Sequence, residues 1–388
     1  FTIWMHYLYT IISMVQNKIY NNFLIDIFKT FLIILFGLSL VALTARAVNF
    51  LDLLVESGYS VNVYFKYSFL NIFGIAPKFI PLSFLLALTI FILKRTQDSE
   101  FIILWTSGLK KISVINLFVF SSIVTLVFYL IFSVFITPYT LNKSRLLLAK
   151  DSFNSLLPTI KTQQFSDSFK GFTFFVEKKI NNEIEGIFLN DKTNNLKNFS
   201  SNISKNKEST ITAKYGLIDK RNLILFDGQI ISTKNNLKNE MIKFEQINID
   251  LSKLSTTTIK KPKIQETSTL KLLNCFTNKN TSDGYVCDDD FKKELLPILN
   301  RRIISPFYIP VLSLICALLL IKSNRIFFNK ILVFFYGFTV LLFTEITVRY
   351  TGLNHYAMTA YILMPFVLIG VLYTILVFNL SKENKNKS

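Results

Sequence analysis

Few residues in this chain have the type and spacing for catalysis. Its two histidines, His6 and His355, have no partner at metal-ligand spacing. No G-x-x-x-x-G-K-[ST] loop offers a cradle for nucleotide phosphates, and no G-x-S-x-G elbow presents a nucleophile. The one enzymatic reading left is an integral-membrane hydrolase or transferase that uses isolated acids. Asp288-Asp289-Asp290 lacks the spacing of a calcium loop and reads as a solvated acidic turn. Cys275 and Cys287 flank a polar loop and read either as a disulfide, in an oxidising compartment, or as two free thiols. Cys316 lies in an apolar run as a packing residue. No metal or cofactor is expected on this chain. What remains is charge beside apolar runs: Asp98 and Glu100 in one short loop, then Arg46, Arg301, Arg302, Glu345 and Arg349 near the ends of long hydrophobic segments. Charge at membrane depth is costly and marks function often enough to organise a reading.

The short loop is LKRTQDSEFIILWTSGLKK, Leu93 to Lys111. Lys94 and Arg95 precede it and Lys110 and Lys111 close it, which places it on the cytoplasmic side by the positive-inside rule. Asp98-Ser99-Glu100 is a helix N-cap signal with acid in the first turn, Phe101 to Trp105 is apolar, and Gly108 is a stop. The pattern predicts a short amphipathic helix over 97–109 that presents Phe101, Leu104 and Trp105. That face either docks a partner or rests on the lipid interface.

Long elements must position these groups. With 51% hydrophobic and 15% aromatic residues over 388 positions, and with the apolar residues clustered, the chain reads as polytopic in the membrane. The formal net charge of +18 is scattered among Asn, Ile and Phe, without a basic arm or helix, so nucleic acid is excluded as a partner and lipid head groups are the expected anions. Residue 1 is Phe, and Met5 and Met14 are both candidate starts. Residues 1–22 are read as an extension and cytoplasmic entry, since Phe1 to Ser13 lacks the charged front and cleavage site of a signal peptide.

Three spans are predicted within 23–138, at about Phe23 to Thr44, Tyr67 to Leu93 and Val114 to Ile136. The second carries Pro77, Lys78 and Pro81, where proline frees carbonyls that a neighbour must satisfy. Over 139–297 polar residues dominate, and short alternating runs such as Phe172 to Val176, Thr210 to Ala213 and Ile242 to Ile249 predict an all-β sandwich or jelly roll outside the cytoplasm. Three further spans over 298–380 and a cytoplasmic tail over 381–388 complete a three-plus-three arrangement. The predicted fold is thus an α-helical membrane protein with six spans and an inserted β jelly-roll domain. Arg46, Arg301, Arg302 and Arg349 sit at the outer ends of spans, with Glu345 four residues before Arg349 on one helix face. They read either as snorkelling cations with an intrahelical pair, or as a ring around a cavity suited to a phosphorylated lipid.

These residues, in this order, resemble the LptF/LptG permeases of the lipopolysaccharide exporter, nearer to the F type, from about Met14 to the end. The carriers are Asn49-Phe50-Leu51-Asp52-Leu53-Leu54 to Gly58, Pro77 to Pro81, Asp98-Ser99-Glu100 with Gly108-Leu109, Thr212 to Gly216 with Leu223 to Gly228, and Arg302 to Pro306. The resemblance implies a permease without catalysis of its own, in the bacterial inner membrane with its β domain in the periplasm. It implies an ATPase dimer (LptB-like) that uses ATP and Mg, a second permease (LptG-like), a single-helix subunit (LptC-like) and a periplasmic bridge (LptA-like). Asp98 to Gly108 would be the helix that docks on the ATPase, with Glu100 the charged contact. Arg46 would face the lipopolysaccharide head group, and Asn49 stands where the family has a second cation; Arg302 and Arg349 join Arg46 as substrate candidates from the ring-of-cations reading. The competing readings are a lipoprotein-release or FtsX-type permease, whose large outer domain follows its first span, and a membrane-anchored β-domain assembly protein.

Overall fold

The computed structural model describes residues 18–51, 60–151, 162–169, 172–180, 182–191, 208–219, 222–233, 239–250, 263–277, 289–321 and 326–385. Six of its helical stretches are long and apolar enough to cross a membrane: Lys18–Phe50, Val61–Gln97, Lys111–Leu148, Phe291–Leu320, Ile331–Tyr350 and His355–Ser381. The chain is a multi-pass membrane protein with an inserted β sheet. Its contacts divide it into two compact units, one of Phe1–Leu43, Ile72–Leu141 and Lys263–Ser388, the other of Thr44–Asn71 and Asn142–Pro262.

In the first unit, α1 (Lys18–Phe50), α2 (Val61–Gln97), a short α3 (Glu100–Thr106) and α4 (Lys111–Ile131) share one core with the later helices. Phe84, Leu85 and Leu88 of α2, Leu117 and Phe118 of α4, and Ile309 and Leu312 further on are all excluded from solvent. Gly337 lets its helix approach α2: a Cβ there would stand 2.6 Å from Leu85 Cδ1. Pro77 and Pro81 lie inside α2, which continues through them. The lost N–H of Pro77 leaves the Phe73 carbonyl without its helical donor, and Thr137 Oγ1 donates to it at 2.8 Å. Thr137 is delivered by a π turn, Phe132–Ile136, that joins α4 to α5 (Thr137–Asp151).

The second unit carries β1 (Ser166–Phe169), β2 (Phe172–Ile180), β3 (Glu183–Asp191), β4 (Glu208–Asp219), β5 (Asn222–Thr233) and β6 (Asn239–Asp250). They form one antiparallel sheet in chain order. An inserted β domain is as expected, and its described strands follow one another as a meander, each paired with its chain neighbour. A sandwich-like core is nevertheless reached. Inward positions change parity along β3 (Ile184, then Ile187 and Leu189), β4 (Ile211 and Ala213, then Ile218) and β5 (Leu223 and Leu225, then Ile230). The change falls on one row that crosses Gly186, Lys214 and Asp227 in register, where Gly186 and Asp227 have φ of 63° and 49°. The strands bend there, and residues on both sides of the bend share a single core.

Within 139–297 the ends are helical: α5 runs to Asp151, and the chain returns through α6 (Thr269–Thr277) and α7 (Asp289–Ile303). A 3₁₀ turn, Ser305–Phe307, leads to α8 (Tyr308–Ala317), followed by α9 (Ile326–Tyr350) and α10 (His355–Lys385). Residues 1–17, Asp52 to Gly58 and Cys287 lie outside the described residues.

Candidate functional site

Two clusters of charge stand out in the first unit. The first is at α3. Gly108, with φ of 89°, ends the helix as the sequence predicts: Leu109 N–H donates to the Leu104 carbonyl and Gly108 N–H to that of Trp105, a Schellman closure. The start differs from expectation. Ser99 sits at the N-cap with φ of 58° and makes no side-chain cap bond, so α3 meets α2 at a left-handed joint instead of a capped start. The Glu100 carboxylate is held by Arg95 of α2, whose second guanidinium nitrogen pairs with Asp26 of α1. The guanidinium also lies 5.1 Å from the Phe23 ring centroid and 5.5 Å from that of Phe91.

The face that α3 presents must also be corrected. Phe101 and Leu104 are buried, 4% and 9% exposed, within the helical core; Phe101 is edge-on to Phe23 and Phe91, and Trp105 stacks on it. The outward side chains are Ile102 and Ile103, 60% and 64% exposed. Sequence reasoning passed over both because it took the aromatic residues for the presented face. The signal was available: in a helix this short, the residues that share a side with Phe101 are Leu104 and Trp105, and the bulkier aromatic side gains more by burial.

The second cluster lies among α2, α4, α7, α8 and α9. Arg302 is 6% exposed and works as a clamp: Nη1 donates to the Thr267 carbonyl (2.9 Å) and to Thr269 Oγ1 (3.0 Å), and Nη2 to the Gln265 carbonyl (2.8 Å). Thr269 Oγ1 donates onward to the Val134 carbonyl in the π turn (3.0 Å), and Ser133 Oγ of the same turn donates to the Arg302 carbonyl (2.7 Å). Its guanidinium is thus engaged with two protein carbonyls and a hydroxyl, and Arg302 also lines the smaller of the two cavities described below.

Glu345 does not make the intrahelical pair with Arg349 that one of the two readings allowed. It accepts from Arg301 Nη2 of α7 at 2.6 Å, which ties α9 to α7. Both partners are partly exposed, so the pair contributes little stability. Arg301 lines two adjoining cavities of about 80 and 170 Å³, and Lys78, beside Pro77, lines both with it. Tyr129, Ser305, Tyr308 and Glu345 are among the other polar residues of the walls, with Ser133, Thr137, Gln265 and Arg302 in the smaller cavity. Lys78 and Arg301 are the cations common to both cavities, where the sequence reading named Arg46, Arg302 and Arg349 for the substrate. Arg46 and Arg349 are exposed at the ends of α1 and α9.

Cys275 is buried on α6 and disulfide-bonded, and Cys316 of α8 is a buried free thiol with Thr89 Oγ1 3.5 Å from its sulfur.

The comparison with curated proteins finds no match. A family model described as lipopolysaccharide export system permease LptF/LptG matches residues 23–381, from inside α1 to near the end of α10. That match takes in all six candidate spans and the sheet, in the order the resemblance requires, and the chain belongs to the LptF/LptG family of lipopolysaccharide export permeases.

Proposed function

We propose that this chain is one permease of an ATP-driven exporter that lifts lipopolysaccharide from the outer leaflet of the bacterial inner membrane and hands it, through its β domain, to a periplasmic bridge. Its family membership establishes a transporter component; the rest is our reading. The observation that carries ATP coupling is α3: a seven-residue helix seated on the bundle through Phe101 and Leu104, with two isoleucines turned outward between basic residues of the cytoplasmic loop. An apolar pair on a rigid seat fits a groove on a separate ATPase dimer, which would bind the ATP and Mg that this chain has no loop to hold. A second permease, nearer the G type if this one is F-like, and a single-helix subunit would complete the assembly.

Arg46 and Arg349, and with them Lys78 and Arg301 at the cavities, are the groups we assign to lipid phosphates; Arg302 acts through the backbone it holds. The competing reading, a membrane-anchored β-domain protein without ATPase, would leave the outward apolar pair to rest on the lipid interface.

Co-expression with the ATPase and permease partners of the same genome, and purification through a tag on this chain, tests the proposal. A complex that forms with the wild type and is lost on Ile102→Asp with Ile103→Asp supports it. A chain that purifies alone, or a complex indifferent to both substitutions, removes the coupling assignment.

A further inference from the structure

We infer that Arg95 is a positioning residue that makes the orientation of α3 depend on α1, so that a partner docked at α3 acts on the first membrane helix through Asp26. The inference rests on the reading of α3 as a docking helix and extends it to a route for the force.

Three observations converge. First, α3 is set off from α2 by a turn at Asp98-Ser99, Ser99 is left-handed, and no side-chain cap holds the start, so side-chain contacts share in setting its direction. Second, one guanidinium serves two helices. Arg95 Nη1 binds Glu100 and Nη2 binds Asp26, and only a planar fork can present separate nitrogens to two carboxylates in this way. Its side chain is 15% exposed and set against the rings of Phe23 and Phe91, so it cannot swing away without leaving an apolar slot. Third, the cluster is unbalanced: two carboxylates face one cation, and both carboxylates remain partly open to solvent, at 39% for Asp26 and 35% for Glu100. The surplus negative charge suits a basic group on a docked partner. When such a group draws Glu100 away, Arg95 has Asp26 alone as its counter-charge, and the contact between α1 and α2 tightens as α3 shifts. Phe101 moves with Glu100 and withdraws from the edges of Phe23 and Phe91.

The test has two arms. In the first, the chain alone in lipid nanodiscs is followed by hydrogen exchange across Glu100–Thr106 for wild type, Asp26→Asn, Asp26→Glu and Arg95→Lys. A gain of protection in α3 on Asp26→Asn, as Arg95 turns wholly to Glu100, reversed by Asp26→Glu, is expected, although residue 26 is on another helix. Unchanged protection in Asp26→Asn would overturn the inference. In the second arm, the purified assembly is assayed for lipopolysaccharide released per ATP hydrolysed. Asp26→Asn should leave assembly and ATP hydrolysis in place and lower that ratio by about five-fold or more, the usual lower range for coupled sites. A wild-type ratio in Asp26→Asn would overturn the relay. Failure of the wild type to assemble with an ATPase would instead remove the docking reading, and the first arm would still decide whether Arg95 ties α3 to α1.

Discussion

Replacing Arg302 by Met separates two roles for a buried arginine at the mouth of a membrane bundle. The side chain is 6% exposed and its guanidinium donates three hydrogen bonds, two of them to backbone carbonyls of 265 and 267. Methionine keeps much of the volume and removes all three donors. A hydrogen bond to a charged group is worth about 1.5–3 kcal/mol net, and the desolvation of the cation offsets part of the gain. The substitution should therefore cost about 3–4 kcal/mol locally, within the range seen when one partner of a buried charged network is removed. Lysine, a single ammonium unable to fork between Gln265 and Thr267, should recover less than half. The assay is hydrogen exchange over 263–277 in nanodiscs, where a local cost of about 3 kcal/mol speeds exchange on the order of a hundred-fold. Lipopolysaccharide binding should change only to the extent that the segment loosens. Binding abolished with exchange untouched would refute the clamp and return Arg302 to the lipid-contacting set.

Thr137→Val should cost about 1 kcal/mol in the native background and nearly nothing in Pro77→Ala, because alanine at that position supplies the N–H that the Phe73 carbonyl lacks; a double-mutant cycle by reversible unfolding in mixed micelles measures the difference. On α3, Leu104→Ala should destabilise the chain by about 3 kcal/mol, while Ile103→Ser should leave its unfolding within about 0.5 kcal/mol and weaken ATPase recovery. Arg301→Gln should barely change stability, given a half-exposed pair worth at most about 1 kcal/mol, yet lower affinity for a phosphorylated lipid in a binding titration; equal affinity would remove the cavity from the substrate path.

Much of the fold was legible because it depends on local quantities. The three spans predicted over 23–138 each fall within one long apolar helix, since the length of an apolar run is set by the thickness to be crossed. The alternation in Ile184 to Leu189 and Thr210 to Ala213 announced strands. What it could not announce is how the strands are arranged, because a run of alternating residues is the same in a meander and in a Greek key. The row at Gly186, Lys214 and Asp227, where inward parity changes together in neighbouring strands, is visible only once registers are known.

By itself, then, the sequence determined the membrane class, the number of spans, the β insertion and the short helix stopped by Gly108, all of which follow from the transfer cost and backbone preference of contiguous residues. Tertiary structure alone decided the partner of each charge. Glu100 binds Arg95, which also holds Asp26, 69 residues before that arginine; Glu345 turns from Arg349, one helical turn away, to Arg301, 44 residues back; and Arg302 closes on a segment 35 residues upstream. An ion in a membrane bundle settles where desolvation is best compensated, and that depends on which carbonyls and carboxylates packing brings near rather than on spacing along the chain.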